Sequence, residues 1–177
     1  MHNWQAFDSW LSNSPVPGVI DFFESTPGMR QSFTNKQTLS TGKQPSGIKP
    51  GDIDPGGDKD EDVIITLGSS GQVGLLGNPG DDSDWQVDQL IEVGDQPRII
   101  QILPITDLSN KAVLIGNTGS DSMSVLQPDG DGGLEVIASI DLDATPLGMT
   151  SVDFDADGAA EAVYADECFL RIYDGAT

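Results

Sequence analysis

The chain has 177 residues, 29 of them acidic and 8 basic, for a formal net charge of −21. That balance excludes a nucleic-acid binder, which needs clustered Lys and Arg to displace counterions, and it excludes docking on an anionic membrane surface. The apolar fraction of 37% supports one modest core, while 21 glycines and 11 prolines predict many turns. Cys168 is the single cysteine and can close no internal disulfide; no apolar run approaches the roughly 18 residues of a membrane-crossing helix. The first residues lack the basic-then-apolar pattern of a secretory signal, so export follows another route or the chain is a mature or excised piece.

In chain order, residues 1–18 stand apart from the rest. Trp4, Phe7, Trp10 and Leu11 recur at three- and four-residue spacing, which predicts one amphipathic helix of about ten residues ended by Ser14-Pro15. Such a helix would plug a strand edge of its own chain or dock a partner. An ill-formed inner strand is the third reading.

From residue 19 onward the chain repeats itself. FTNKQTLSTGKQPSGIKPGDID from Phe33 aligns with WQVDQLIEVGDQPRIIQILPITDL from Trp85 and with LEVIASIDLDATPLGMTSVDFD from Leu134. The anchoring prolines, Pro45, Pro97 and Pro146, lie 52 and 49 residues apart. Each copy holds a strand-like run, a polar turn, a second run and an acidic loop. Two more runs complete the copy: Val63 to Leu67 then Gln72 to Leu76, Ala112 to Gly116 then Ser122 to Leu126, and Ala162 to Ala165 then Phe169 to Tyr173. Four short strands per roughly 50 residues, separated by Gly, Asp, Asn and Pro, is the arithmetic of a β-propeller blade. The predicted fold is therefore all-β, with blades of four antiparallel strands. The chain divides into a partial blade at 19–44, blades at 45–96 and 97–145, and a partial blade at 146–177, just over three blades of an incomplete ring. Propellers close with roughly four to eight blades. Another chain, or a second copy lending a strand to the last unit, is expected to complete the ring, unless the chain is excised from a larger one.

The segment SVDFDADGAAEAVYA, residues 151–165, resembles the calcium-loop repeat of integrin-alpha-type propellers, the FG-GAP/VCBS family, and GDIDPGGDKDEDVII, residues 51–65, resembles a second copy with two extra residues. The likeness spans about residues 19–177. Calcium takes six to eight oxygen ligands, and alternating Asp on a tight loop turns every second side chain to one side. In the later loop the donors are then Asp153, Asp155 and Asp157, the carbonyl of Ala159, and Glu161, with Gly158 at the bend. In the earlier loop Asp52, Asp54, Asp58 and Asp62 take the corresponding places if Pro55 and Gly56 are the inserted pair, and Asp60 is spare. The middle copy, TDLSNKAV, keeps Asp107 but has Ser109, Asn110 and Lys111, and is expected to turn without a metal.

The hairpin acids Asp81, Asp82, Asp84, Asp129 and Asp131 are expected to form Asx turns. Cys168, in an acidic setting, is expected to be structural and inert. Phe33, Trp85, Phe154 and Tyr164 are expected on strands, filling space between blades. His2 is the only histidine, so no Ser-His-Asp or Cys-His pair can be built, and no phosphate-binding Gly-rich motif appears. No catalytic residue is assigned. The expectation is a non-enzymatic, calcium-binding module outside the cell or on its surface. The resemblance implies adhesion and a protein or glycan ligand; the competing expectation is a structural subunit whose open edges pair with another chain.

Overall fold

A computed structural model describes residues 19–25, 33–53, 61–79, 84–103, 112–156 and 160–173, with side chains from residue 37 onward. The predicted helix at 1–18 and the middle loop at 104–111 lie outside the described residues. Among the described residues there are thirteen strands and no helix. Strands β1 (Val19–Ser25) and β2 (Phe33–Ser40) form an N-terminal pair. Sheet one contains β3 (Pro45–Gly51), β4 (Asp62–Leu67), β5 (Gln72–Leu76) and β6 (Gln89–Glu92). Sheet two contains β7 (Pro97–Leu103), β8 (Ala112–Asn117), β9 (Ser122–Pro128) and β10 (Leu134–Asp141). Sheet three has only β11 (Gly148–Val152), β12 (Glu161–Ala165) and β13 (Leu170–Tyr173). Every pairing is antiparallel and joins strands adjacent in sequence.

The local sequence explains these elements. β4 and β8 read Asp-Val-Ile-Ile-Thr-Leu and Ala-Val-Leu-Ile-Gly-Asn, continuous β-branched and aliphatic runs, and every residue of both is buried. A run apolar on both faces suits a strand covered on both sides. The fourth strands are mostly exposed instead: β6 buries only Ile91, and β10 buries Leu134 and exposes Glu135, Val136 and Ile137. Tight turns reverse the chain between the second and third strands. Gly71 takes φ +66° in the first of these, where a left-handed residue is needed, and Asp121 takes φ +46° at the same place in the next.

The sheets stack face to face in chain order, and the register assigns each residue to a face. Between sheets one and two lie Ile64, Val73, Leu75 and Ile91 on one side and Val113, Ile115, Leu126 and Leu134 on the other. Between sheets two and three lie Leu114 and Met123 against Tyr164, with Val125, Ile140, Met149 and Tyr173 around them. The other face of sheet one buries Val63, Ile65, Leu67, Leu76 and Trp85, against which Leu39 of β2 packs. First strands lie beside one another, β3 by β7 and β7 by β11. A Cβ on Gly47 would stand 2.6 Å from the carbonyl oxygen of Arg98, so glycine lets β3 meet β7 backbone to backbone. Ser46 Oγ donates to the carbonyl of Pro97 across that contact, at 2.6 Å.

A paired contact recurs on the outer strands. Gln37 of β2 donates from Nε2 to the carbonyl of Trp85 at 2.7 Å and accepts the Trp85 N–H at 2.8 Å. Gln89 of β6 does the same to Leu134, at 2.9 and 2.8 Å. In both cases a glutamine on an outer strand grips the backbone of the next sheet just before or at its own fourth strand. The N-terminal pair thus stands to sheet one as the outer half of sheet one stands to sheet two.

Candidate metal centre

Each acidic loop runs from the end of a first strand to the start of a second, and its last carboxylate belongs to the second strand itself. Glu161 opens β12 and is buried, and its Oε2 accepts the N–H of Phe154 at 2.6 Å. Asp153 and Asp155 flank that residue. Asp153, Asp155 and Glu161 each bring an oxygen to within 4.8 Å of the others. Oxygens on one calcium, each 2.3–2.6 Å from the ion, stand at most about 5 Å apart, so these three fit a single hard cation. Ala156 takes φ +59°, which curls the backbone directly after Asp155. The remaining predicted donors, Asp157 and Ala159, lie outside the described residues.

The earlier loop closes in the same way. Asp62 opens β4 and is buried; its Oδ2 accepts the N–H of Ile53 at 3.2 Å and its Oδ1 accepts the N–H of Asn78 at 3.0 Å. Ile53 lies between Asp52 and Asp54 as Phe154 lies between Asp153 and Asp155. Asp62 stands nine positions after Ile53 and Glu161 seven positions after Phe154, which fits the expected two-residue insertion. Beside Asp62 is a cavity of about 110 Å³ walled by Ile53, Leu75, Asn78, Gly132 and Gly133. Asp54 and Asp58 lie outside the described residues.

Strand ends fix how the middle loop compares. Between β7 and β8 stand eight residues, as between β11 and β12. Counting from either end, the places of Asp153, Asp155, Asp157 and Glu161 fall to Pro104, Thr106, Leu108 and Ala112. Asp107 is out of phase by one residue, so no carboxylate remains at a donor position.

The other singled-out residues divide. Asp129 forms the expected Asx turn, its Oδ1 accepting the N–H groups of Asp131 at 2.8 Å and Gly133 at 2.9 Å, and these bonds hold its carboxyl below the usual range. Tyr164 is buried and stacks on Tyr173 at 5.8 Å; Trp85 is buried but precedes β6 instead of lying on it. Two expectations need correction. Phe154 sits in a loop and is exposed, because no sheet follows sheet three among the described residues. Cys168 is exposed in the β12–β13 turn, where its N–H and that of Phe169 donate to Asp166 Oδ1, so it packs no interior. Arg171 also donates from Nε to Asp166 at 2.9 Å, and that bond, first, with the two N–H groups, lowers the Asp166 pKa.

Sequence reading passed over the gripping glutamines, although the aligned runs FTNKQ and WQVDQ already place Gln37 and Gln89 in register. It also passed over a cavity of about 660 Å³ at the opposite end of the sheets from the acidic loops, lined by Gln44, Ser69, Ser70, Asp95, Gln96 and Arg98. These residues come from separate turns, so no single motif announces them.

No family model matches the chain, and a search of curated proteins finds no match. Among solved structures it is similar to a functionally unknown protein from Desulfotomaculum acetoxidans DSM 771, with a TM-score of 0.44 and 11% identity, over 89% of this chain and 62% of that one. It is also similar to BBS1N, solved in complex with ARL6DN and soaked with lead, with a TM-score of 0.42 and 12% identity, over 89% of this chain and 59% of that one. The chain spans about three fifths of each of these structures.

Proposed function

We propose that this chain is a calcium-stapled β-propeller module of the FG-GAP/VCBS kind, non-enzymatic and used for recognition of a protein or glycan outside the cell. The observation that carries the reading is the convergence of Asp153, Asp155 and Glu161 at the loop joining two strands of one sheet. A cation held there ties the end of β11 to the start of β12 and relieves the repulsion of three carboxylates. The closing contact recurs at Asp62, which supports a repeated staple over one shared reaction centre. Loops of this type in extracellular modules bind calcium at about 10⁻⁴–10⁻³ M, a range matched to the medium outside cells.

Thermal unfolding by circular dichroism tests the proposal, in EDTA, in 10 mM calcium and in 10 mM magnesium. With the affinities above, calcium adds about 1.4–2.7 kcal/mol, or roughly 3–10 °C, and the double variant Asp155→Ala with Asp157→Ala loses that rise. An equal midpoint under all three conditions sinks the calcium reading.

A further inference from the structure

The cavity at the end of the sheets away from the acidic loops has about 660 Å³, within the roughly 300–1,000 Å³ of sites for small organic molecules. It opens between the turns that lead into β3 and β7 and the β4–β5 turn. Backbone groups fix this frame. The Gly119 N–H donates to the Asp95 carbonyl at 2.9 Å, the Thr118 N–H to that of Gln96 at 3.0 Å, and the Asp95 N–H to Ser120 Oγ at 3.0 Å. Across the cavity the Gln44 N–H donates to Ser69 Oγ at 3.4 Å, which leaves that hydroxyl its own proton to give.

The side chains on the frame are left over. Among the described residues the carboxamides of Gln44 and Gln96, the Asp95 carboxylate and the Arg98 guanidinium make no hydrogen bond or ion pair. Arg98 is unpaired in a chain with 29 acids for 8 bases. Gln96 also takes φ +49°, a left-handed backbone that costs a residue other than glycine energy and that is kept where a site needs it.

The next repeat has the contact that closes such a gap. By register Asp121 stands at the place of Gly71, and the aligned prolines put Thr145 at the place of Gln96. There the Thr145 hydroxyl donates to Asp121 Oδ1 and ties the two turns together. Glycine at 71 has no side chain to reach Gln96, so the first gap stays open.

The chemistry of the wall selects its ligand. A guanidinium only donates, an ionised carboxylate only accepts, and carboxamides and hydroxyls do both. A neutral ring with adjacent hydroxyls satisfies all of them, since each hydroxyl donates one bond and accepts others. An anion would meet Asp95 and a chain of −21, and a cation would meet Arg98. No aromatic ring lines the cavity among the described residues, so a lipid or an apolar peptide anchor finds no partner surface.

We infer that this cavity binds a neutral saccharide unit, with Asp95 accepting from one hydroxyl, Arg98 donating to its neighbour, and Gln44, Gln96 and Ser69 meeting the rest. The inference rests on the recognition reading and deepens it by naming a glycan ligand and its place.

The test titrates the isotopically labelled full chain with methyl α-D-mannopyranoside, methyl β-D-galactopyranoside and methyl N-acetyl-β-D-glucosaminide, and reads backbone amide shifts by NMR. Methyl β-D-glucuronide serves as an anion of similar size. Without a ring to stack on, a Kd of the order of 1 mM is expected for at least one neutral probe, with the largest shifts at Ser69, Ser70, Gln96 and Gly119. Asp95→Ala with Arg98→Ala should weaken that binding at least about tenfold. Gly71→Asp should weaken it similarly by supplying the acid that closes the next gap, and Asp121 at φ +46° shows that aspartate takes the backbone this place requires. Dispersed amide spectra confirm that each variant folds. No saturable shift from any neutral probe up to about 50 mM overturns the site. Tighter binding of the glucuronide, or binding that survives either variant, overturns it as well. None of these results alters the calcium-dependent melt, so the failure of this site and of the stapled-propeller reading are separable.

Discussion

Sheets two and three share a strand pattern, and their first-to-second-strand loops have equal length, yet they are held in different ways. Sheet two has a neighbour on each face, and its loop has Pro104, Thr106, Leu108 and Ala112 at the places where carboxylates would stand. Among the described residues sheet three has a neighbour on one face, three strands instead of four, and converging Asp153, Asp155 and Glu161. The strand architecture consequently does not require the acidic loop. Sheet one, packed on both faces, keeps Asp52 and the closing Asp62 at its loop, so the carboxylates do not follow how much of a sheet is covered.

The largest test of this contrast lies in the packed faces. Ile115→Ala in sheet two should cost about 2–5 kcal/mol in urea denaturation, because a fully buried side chain leaves a cavity. Ile172→Ala in sheet three should fall within about 0.5 kcal/mol, as for other exposed positions. Equal losses would break the contrast, since sheet three would then be covered in solution. Next comes the closing carboxylate. Glu161→Ala should remove the calcium-induced rise in melting temperature, and in EDTA it should still cost about 1–3 kcal/mol, because the Phe154 N–H loses its acceptor. Gln89→Ala, which deletes both bonds to Leu134, should cost about 1–2 kcal/mol and loosen β9 and β10 in hydrogen exchange ahead of β4 and β5.

The smallest effect concerns the β12–β13 turn and its acid. The Asp166 carboxyl is lowered in the folded chain, so its contribution is present above the ordinary Asp value near about 3.9 and is lost as pH falls through its lower folded value. Wild type should therefore exceed Asp166→Asn in stability at pH 6, and the gap should close between about pH 4 and pH 2. A gap independent of pH would show that the turn is held by Arg171 packing over Phe169 and not by the charge.

Much of the strand layout was legible because burial writes itself into local pattern. Val63 to Leu67 is a run apolar on both faces, so its place between layers could be read directly, and β4 occupies Asp62–Leu67. Pro45 and Pro97 mark the first residues of β3 and β7, whereas Pro146 precedes β11 by two residues. What escaped depends on partners distant in sequence. Phe154 has the composition of a core residue, and among the described residues nothing packs over it. The phase of Asp107 is set by where β7 ends, which the run Ile-Leu-Pro-Ile-Thr-Asp does not mark. Asp153, Asp155 and Glu161 were legible as a spacing; the Phe154 N–H that orients Glu161 was not, because a backbone donor has no signature in the sequence.

Since among the described residues each strand bonds only to a strand next to it in the chain, none of these pairings waits for a distant segment. Contacts of short sequence separation form quickly, so each sheet can assemble from its own stretch and then receive the following one. During synthesis this order runs from the N-terminal pair to sheet three, and each completed face presents a template to the next strands before the chain is finished. A sheet duplicated or deleted as a unit leaves every other hydrogen-bonded ladder intact, so chains of this kind can lengthen or shorten by whole repeats without rewiring.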